Sequence, residues 1–288
     1  DLRYTNTKVW DAVNQIAEGI KNIDPNHPTS TMLAGADKDV IQEIMKRCPA
    51  IDFLSFQVYA DIVNLPKYID ESGYLGPYFI TEWGATGHWE VGQTSWGRPI
   101  EQNSEQKAQD YLMRYQEVIE KESDRCLGSF VFLWGQKQER TPTWYGLFLE
   151  SGEETATIDA MHYAWNKEWP TNRTPQLEDF LLDNKNAYQN IILKQETDYT
   201  ATVFVTDIEN DSLHYQWEIL KEVDDELKSD GGDYEPSPEK LFRMNTSNEM
   251  NEVQIKTPKM PGEYRLFVYV HDGNHHAATA NIPFLVEK

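Results

Sequence analysis

Over the first 170 residues, short apolar runs alternate with stretches of helical period, and past Trp169 that helical period disappears. No other property of the chain constrains its fold as strongly. Residues 7–22 carry Val9, Val13, Ile16 and Ile20 at steps of four, three and four, which predicts one apolar helix face. Asp24-Pro25-Asn26-His27-Pro28 ends that helix, with His27 a turn residue. Apolar runs follow at 31–34, 51–59, 77–83 and 128–134. Between and after them lie helical segments at 37–47, 65–71, 104–121 and 157–165. In the first of these, Asp37, Asp39 and Glu43 read as a solvated start that suits the helix dipole. Such alternation predicts right-handed crossovers and a parallel sheet.

The tenor changes at Trp169-Pro170-Thr171-Asn172-Arg173-Thr174-Pro175, so 171–177 is expected to be a linker. Beyond it, apolar or alternating runs at 199–205, 213–219, 263–270 and 278–286 are broken by turn clusters such as Asp272-Gly273-Asn274. That pattern predicts an immunoglobulin-like β-sandwich over 178–288, with Trp217 in its core. The acidic run 222–239 reads as an exposed loop.

Charge excludes some partners. Against 26 Lys and Arg stand 48 Asp and Glu, a net of −22, which disfavours nucleic acid and anionic membrane surfaces. There is no run of 18 apolar residues to span a bilayer. Cys48 and Cys126 lack metal-type spacing and read as structural thiols. No cofactor and no metal is expected, and no Ser-His-Asp, Cys-His, phosphate-loop or dinucleotide pattern occurs. In the sandwich, Asp207, Glu209, Asp211 and Asp272 read first as acidic turns, although oxygen ligands of that kind also suit calcium.

The run Pro77-Tyr78-Phe79-Ile80-Thr81-Glu82-Trp83-Gly84 is the most informative for function. A buried strand stops there at a carboxylate, where the chain leaves the core for the surface. Glu82 there either pairs with a neighbouring cation or faces a crevice, and Trp83 beside it offers a flat apolar face for a sugar. Nine Trp and fifteen Tyr exceed what a core needs, so some are expected to be stacking platforms.

Taken in order, Asp52 to Tyr59, Thr81-Glu82-Trp83-Gly84 and Phe130 to Trp134 resemble the sixth, seventh and eighth strands of a (β/α)8 barrel. The resemblance is to the retaining β-glycosidases of glycoside hydrolase clan A, in particular its family 2-like members, and covers residues 1 to about 170. It implies that Glu82 is the nucleophile forming a glycosyl-enzyme intermediate and that Tyr59 orients it. It also implies that Trp134 is the aromatic floor under the sugar. Gln57 stands where such enzymes more usually carry Asn or His, and is expected near the substrate. In the loop after Glu82, His88 and Trp89 are the next candidates for substrate contact, followed by Trp96, Gln136 and Lys137. Strands at 206–217 and 261–273 resemble polycystic-kidney-disease-like and other immunoglobulin-like modules.

A closed barrel needs eight strands, and the region supplies four. The family's acid/base, in an Asn-Glu pair at the end of the fourth strand, would fall just before Asp1. The expected architecture is therefore α/β plus all-β: the C-terminal half of a barrel (1–170), a linker (171–177) and a sandwich (178–288). The half barrel is expected to pair with its missing half or with another protomer, since it exposes two parallel edges and an inner face. The expected activity is retaining β-glycoside hydrolysis of an oligo- or polysaccharide by a secreted, periplasmic or cell-surface protein. The alternative is a non-catalytic carbohydrate-binding or scaffold protein.

Overall fold

A computed structural model describes residues 6–223, 234–247 and 250–288. Most of the acidic run expected as a loop, 224–233, lies outside the described residues. The chain forms two compact units, one of residues 1–84 with 113–132 and one of 85–112 with 133–288.

The first unit is a parallel sheet of four strands in the order β1 (Ser30–Ala34), β2 (Phe53–Gln57), β3 (Tyr78–Gly84) and β4 (Cys126–Phe132). Helix α1 (Lys8–Ile23) precedes β1, and helices α2 (Lys38–Arg47) and α3 (Leu65–Ser72) supply the first two crossovers. Asp37 caps α2 by accepting from the Asp39 and Val40 backbone amides, and Gly73 ends α3 in the left-handed region at φ 79°. Leu54, Phe56, Tyr78 and Ile80 point to the helix side and are buried with Ile41, Ile44, Leu65 and Ile69. On the opposite side Phe53, Phe79 and Phe130 form a row of rings with centroids 5.2 and 6.0 Å apart, and Phe130 is 60% exposed. The Phe79 ring lies across Gly128, where a Cβ would meet it at 2.9 Å.

Two helix expectations need correction. In α1 the buried residues are Trp10 and Ala17, while Val9, Ile16 and Ile20 are exposed. Trp10 buries the larger surface and shares a stripe with Ala17 at i and i+7, so it sets which face turns inward. The period over 104–121 is interrupted: α4 (Ser104–Arg114) passes into a π-helical turn at Tyr115–Ile119.

The second unit is built on two antiparallel sheets. Strands β5 (Gln176–Leu182), β7 (Asp198–Thr206) and β10 (Glu252–Lys256) form one. The other runs β6 (Ile191–Lys194), β12 (Ala277–Glu287), β11 (Gly262–His271), β8 (His214–Lys221) and β9 (Lys240–Ser247), with β6 and β12 parallel. Trp217, fully buried, lies in the core between them with Phe180, Val203, Leu266, Val268 and Phe284. Its indole N–H donates to Thr246 Oγ1 at 3.2 Å. Strand β5 begins inside the segment expected to be a linker.

Continuous burial along β11 and β12 shows that the larger sheet is covered on both faces. On its outer face Phe267 and Tyr269 pack with Leu149, which precedes α5 (Ala156–Asn166). A buried polar network joins the same face to residues 98–107. Lys107 Nζ donates to Glu101 Oε1 at 2.5 Å and to the Thr143 carbonyl at 2.7 Å. Glu101 Oε2 accepts from Thr141 Oγ1 and Asn281 Nδ2, both at 2.6 Å. Arg265 donates to Asn281 Oδ1 at 2.7 Å, to Glu222 at 2.8 Å and to the Pro99 carbonyl at 3.0 Å. Burial works against the charge on Glu101, yet Lys107 and the hydroxyl of Thr141 hold its carboxyl below the usual range. A satisfied network of this kind ties residues 85–112 to the sandwich rather than to the parallel sheet.

Glu101→Leu leaves the Lys107 ammonium buried without its partner and is expected to lower the unfolding free energy by about 3–5 kcal/mol in denaturant titration. Adding Lys107→Met is expected to restore part of that loss. Strictly additive losses in the double variant would show that the two charges do not act as a pair.

Candidate functional site

The carboxyl end of β3 departs from regular pairing. Its register shifts against β2 between Phe56 and Gln57, and against β4 between Ile80 and Trp83. Regular alternation would send Glu82 to the same side as Ile80, which is fully buried. The extra residue instead brings Glu82 opposite Gln57 and turns Trp83 into the core.

Both carboxylate oxygens of Glu82 are occupied from β2 and the turn beyond it. The Tyr59 hydroxyl donates to Oε1, and the Gln57 amide donates to Oε2 at 3.2 Å. The Val58 amide donates to the Glu82 carbonyl at 2.9 Å, so the backbone ladder continues past β2 and fixes the segment that carries Tyr59. The Tyr59 ring is 9% exposed and stands edge-on to Phe132, with centroids 6.1 Å apart. Behind the strand end, the buried guanidinium of Arg114 donates to the Gly84 carbonyl at 2.6 Å. These contacts make Glu82 a fixed, half-buried carboxylate at the carboxyl end of a parallel sheet, where α/β proteins place their ligands.

Trp83 does not offer a face to a ligand. It is fully buried, and its ring lies 6.4 Å from Tyr115 of the π-helical turn. The expectation that Trp83 contacts substrate is corrected accordingly. Gln57, expected at the substrate, hydrogen-bonds Glu82 directly.

The other candidates lie in the second unit. Trp134, two residues past β4, is 61% exposed, with its ring edge-on to Phe148 at 5.2 Å. Trp89 is 58% exposed and its ring lies over Gly87, where a Cβ would come within 2.7 Å of the indole. His88 is edge-on to Trp89 at 4.9 Å and to Trp144 at 6.0 Å, and its backbone amide donates to the Tyr145 hydroxyl at 3.2 Å. Its Nε2 faces Glu139 Oε1 at 3.6 Å, while Glu139 Oε2 accepts from Lys137 Nζ at 2.6 Å. Burial pushes the Glu139 carboxyl up, but the His88 ring and the Lys137 ammonium outweigh it and hold the group below the usual carboxylate range.

Sequence reasoning missed Glu139. The one signal lay in the density of polar residues after Trp134, Gln136-Lys137-Gln138-Glu139-Arg140, of which only the first two drew attention. Arg140, at φ 61°, turns the chain there so that Glu139 points inward. In the sandwich the acidic residues serve as turn acceptors: Asp207 takes the Asp211 amide at 2.7 Å, and Asp272 takes the Asn274 amide at 2.7 Å. Among the described residues, no group of three or more His, Cys, Asp or Glu is arranged to hold a metal ion. No helix among them is long and apolar enough to cross a membrane.

No protein-family model matches the chain, and no curated protein does. Among solved structures, an α-L-arabinofuranosidase from Thermotoga petrophila is similar over 96% of this chain and 62% of its own, at 10% identity and a TM-score of 0.39. A β-glucosidase from Listeria innocua is similar over 88% of this chain and 39% of its own, at 10% identity and a TM-score of 0.22. A structure of carbohydrate-binding modules of the β-sandwich superfamily covers 41% of this chain and 36% of its own, at 14% identity and a TM-score of 0.27. The neighbours thus include glycoside hydrolases and carbohydrate-binding modules. All three fall below a TM-score of 0.5, so the functional reading rests on the geometry of the chain itself.

A carboxyl group held below its unfolded pKa of ~4.3 contributes stability that is present above that value and is lost as pH falls through the lower folded value. Glu139→Gln is therefore expected to flatten the acid limb of unfolding free energy against pH, below about pH 4.3. An unchanged limb would mean that His88 and Lys137 do not stabilise the Glu139 anion.

Proposed function

We propose that the chain carries the nucleophilic half of a retaining β-glycosidase active site, in a barrel of the family 2-like type, acting on an oligo- or polysaccharide. The observation that carries the reading is the double occupation of Glu82 by Tyr59 and Gln57 at the carboxyl end of β3. A nucleophilic carboxylate must be held in one orientation, and two donors, one from β2 and one from the turn beyond it, do that for Glu82. Glu82 then attacks the anomeric carbon to give a glycosyl-enzyme ester, and water later releases the sugar with retained configuration. Tyr59 donates to Oε1 and holds the carboxylate's rotamer for attack. Trp134 is the proposed aromatic platform, with His88 and Trp89 as further sugar contacts.

Retaining hydrolysis also needs an acid/base carboxyl about 5–5.5 Å from the nucleophile, which the reading assigns to a preceding barrel half or a partner. The exposed apolar stripe of α1 and the edge positions of β1 and β4 support such a partner. A secreted, periplasmic or cell-surface location goes with this reading.

Incubation with 2-deoxy-2-fluoro glycosides bearing dinitrophenyl leaving groups tests it, because such leaving groups depart without a general acid. Intact mass is expected to rise by one sugar, to map to the peptide containing Glu82, and to stay unchanged in Glu82→Gln. Tyr59→Phe removes a hydrogen bond to a charged group and is expected to slow labelling by about one to two orders of magnitude. No label from any sugar on the folded chain would favour a carbohydrate-binding or scaffold role instead.

A further inference from the structure

His88 and Glu139 belong to different loops of the second unit and meet where both are mostly buried, with side chains 15% and 5% exposed. The Glu139 carboxylate is divided between two neighbours, Lys137 at Oε2 and the His88 ring at Oε1. At 3.6 Å the contact with His88 Nε2 is an electrostatic one rather than a full hydrogen bond. It still decides between tautomers, because a fixed anion favours the proton on the nitrogen that faces it. Among the described residues Nδ1 of His88 has no hydrogen-bond partner, so in this tautomer it is an acceptor left for a ligand. The half-exposed indole of Trp89 stands perpendicular to the His88 ring, with centroids 4.9 Å apart, and approaches Gly87 closely.

We propose that Glu139 is a positioning residue that holds His88 with its proton on Nε2, so that Nδ1 accepts a hydroxyl of a pyranose stacked on Trp89. The occupant is a neutral sugar: stacking needs its apolar C–H face, and the acceptor needs its hydroxyl. An anionic sugar is disfavoured because the Lys137 ammonium is already paired with Glu139 and gives no net positive charge. Gly87 is part of the subsite, since any side chain there displaces the indole. The proposal rests on the glycosidase reading for its choice of ligand but not for its geometry.

The test is nitrogen NMR of the full chain labelled with 15N-histidine, which reads directly which ring nitrogen carries the proton. His88→Gln assigns the signal among the seven histidines. The expected state has a protonated Nε2 and a bare Nδ1. Titration with methyl β-glucoside, β-galactoside, β-mannoside and β-xyloside is expected to shift the Nδ1 signal for at least one of them. Glu139→Gln is expected to weaken that binding by about tenfold, and Gly87→Ala to abolish it. A proton on Nδ1 in the unmodified chain overturns the proposal without reference to any variant, as does the absence of a shift with all four glycosides. Covalent labelling of Glu82 with an unmoved His88 signal overturns the subsite and leaves the nucleophile standing. A His88 response without labelling supports the subsite and counts against the nucleophile.

Discussion

The break in register at the end of β3 is the constraint on which the candidate site depends. A regular parallel strand would bury Glu82 on the helix side and turn Trp83 to the opposite face, leaving an ionisable group in an apolar layer. One extra residue reverses both positions. Trp83 then fills the core near Tyr115, and Glu82 comes opposite Gln57 and within reach of Tyr59. Neither exchange works alone, because the indole needs the pocket and the carboxylate needs the donors. Irregular pairing beside a fixed carboxylate is a feature to be expected of a functional strand end rather than a defect.

The second unit depends on a different device. Its five-stranded sheet is apolar within the sandwich, whereas on the outer face it combines Phe267 and Tyr269 with the buried charges of Arg265, Glu101 and Lys107. Buried ion pairs gain little net stability over apolar packing, but a network that leaves no partner unsatisfied fixes which surfaces meet. Arg265 reaches the Pro99 carbonyl and Glu222, and Asn281 reaches Glu101, so residues 85–112 can dock on β11 and β12 in one way only. The loop that carries His88 and Trp89, the proposed sugar contacts, belongs to those same residues.

Much of the fold was legible in the chain. The four parallel strands, a helix starting at Asp37 and the sandwich core around Trp217 all follow from period and turn chemistry. In α1 the count of aliphatic residues misled, because one Trp outweighs several smaller side chains in deciding the buried face. The short strands β6 and β10 escaped because four or five residues carry too little alternation to stand out. Buried charges such as Lys107, Arg114 and Glu139 escaped for a deeper reason: the Thr143 carbonyl, the Gly84 carbonyl and the His88 ring that they meet lie far away in sequence. Of the site, Glu82 came from a strand end, and Tyr59 and Gln57 came from the resemblance to the glycosidase family, yet Trp83 was misplaced because a register break leaves no mark in composition.

In the proposed function Glu82 is turned out of the helix layer and held by Tyr59 and Gln57 to attack a sugar. A crystal structure of the chain after reaction with a 2-deoxy-2-fluoro glycoside tests it most directly. The account predicts electron density joining the anomeric carbon to a carboxylate oxygen of Glu82, with Tyr59 Oη still within hydrogen-bonding distance of that group and Trp83 still buried. A sugar bonded elsewhere, or a Glu82 side chain turned to the helix side in place of Trp83, would contradict it.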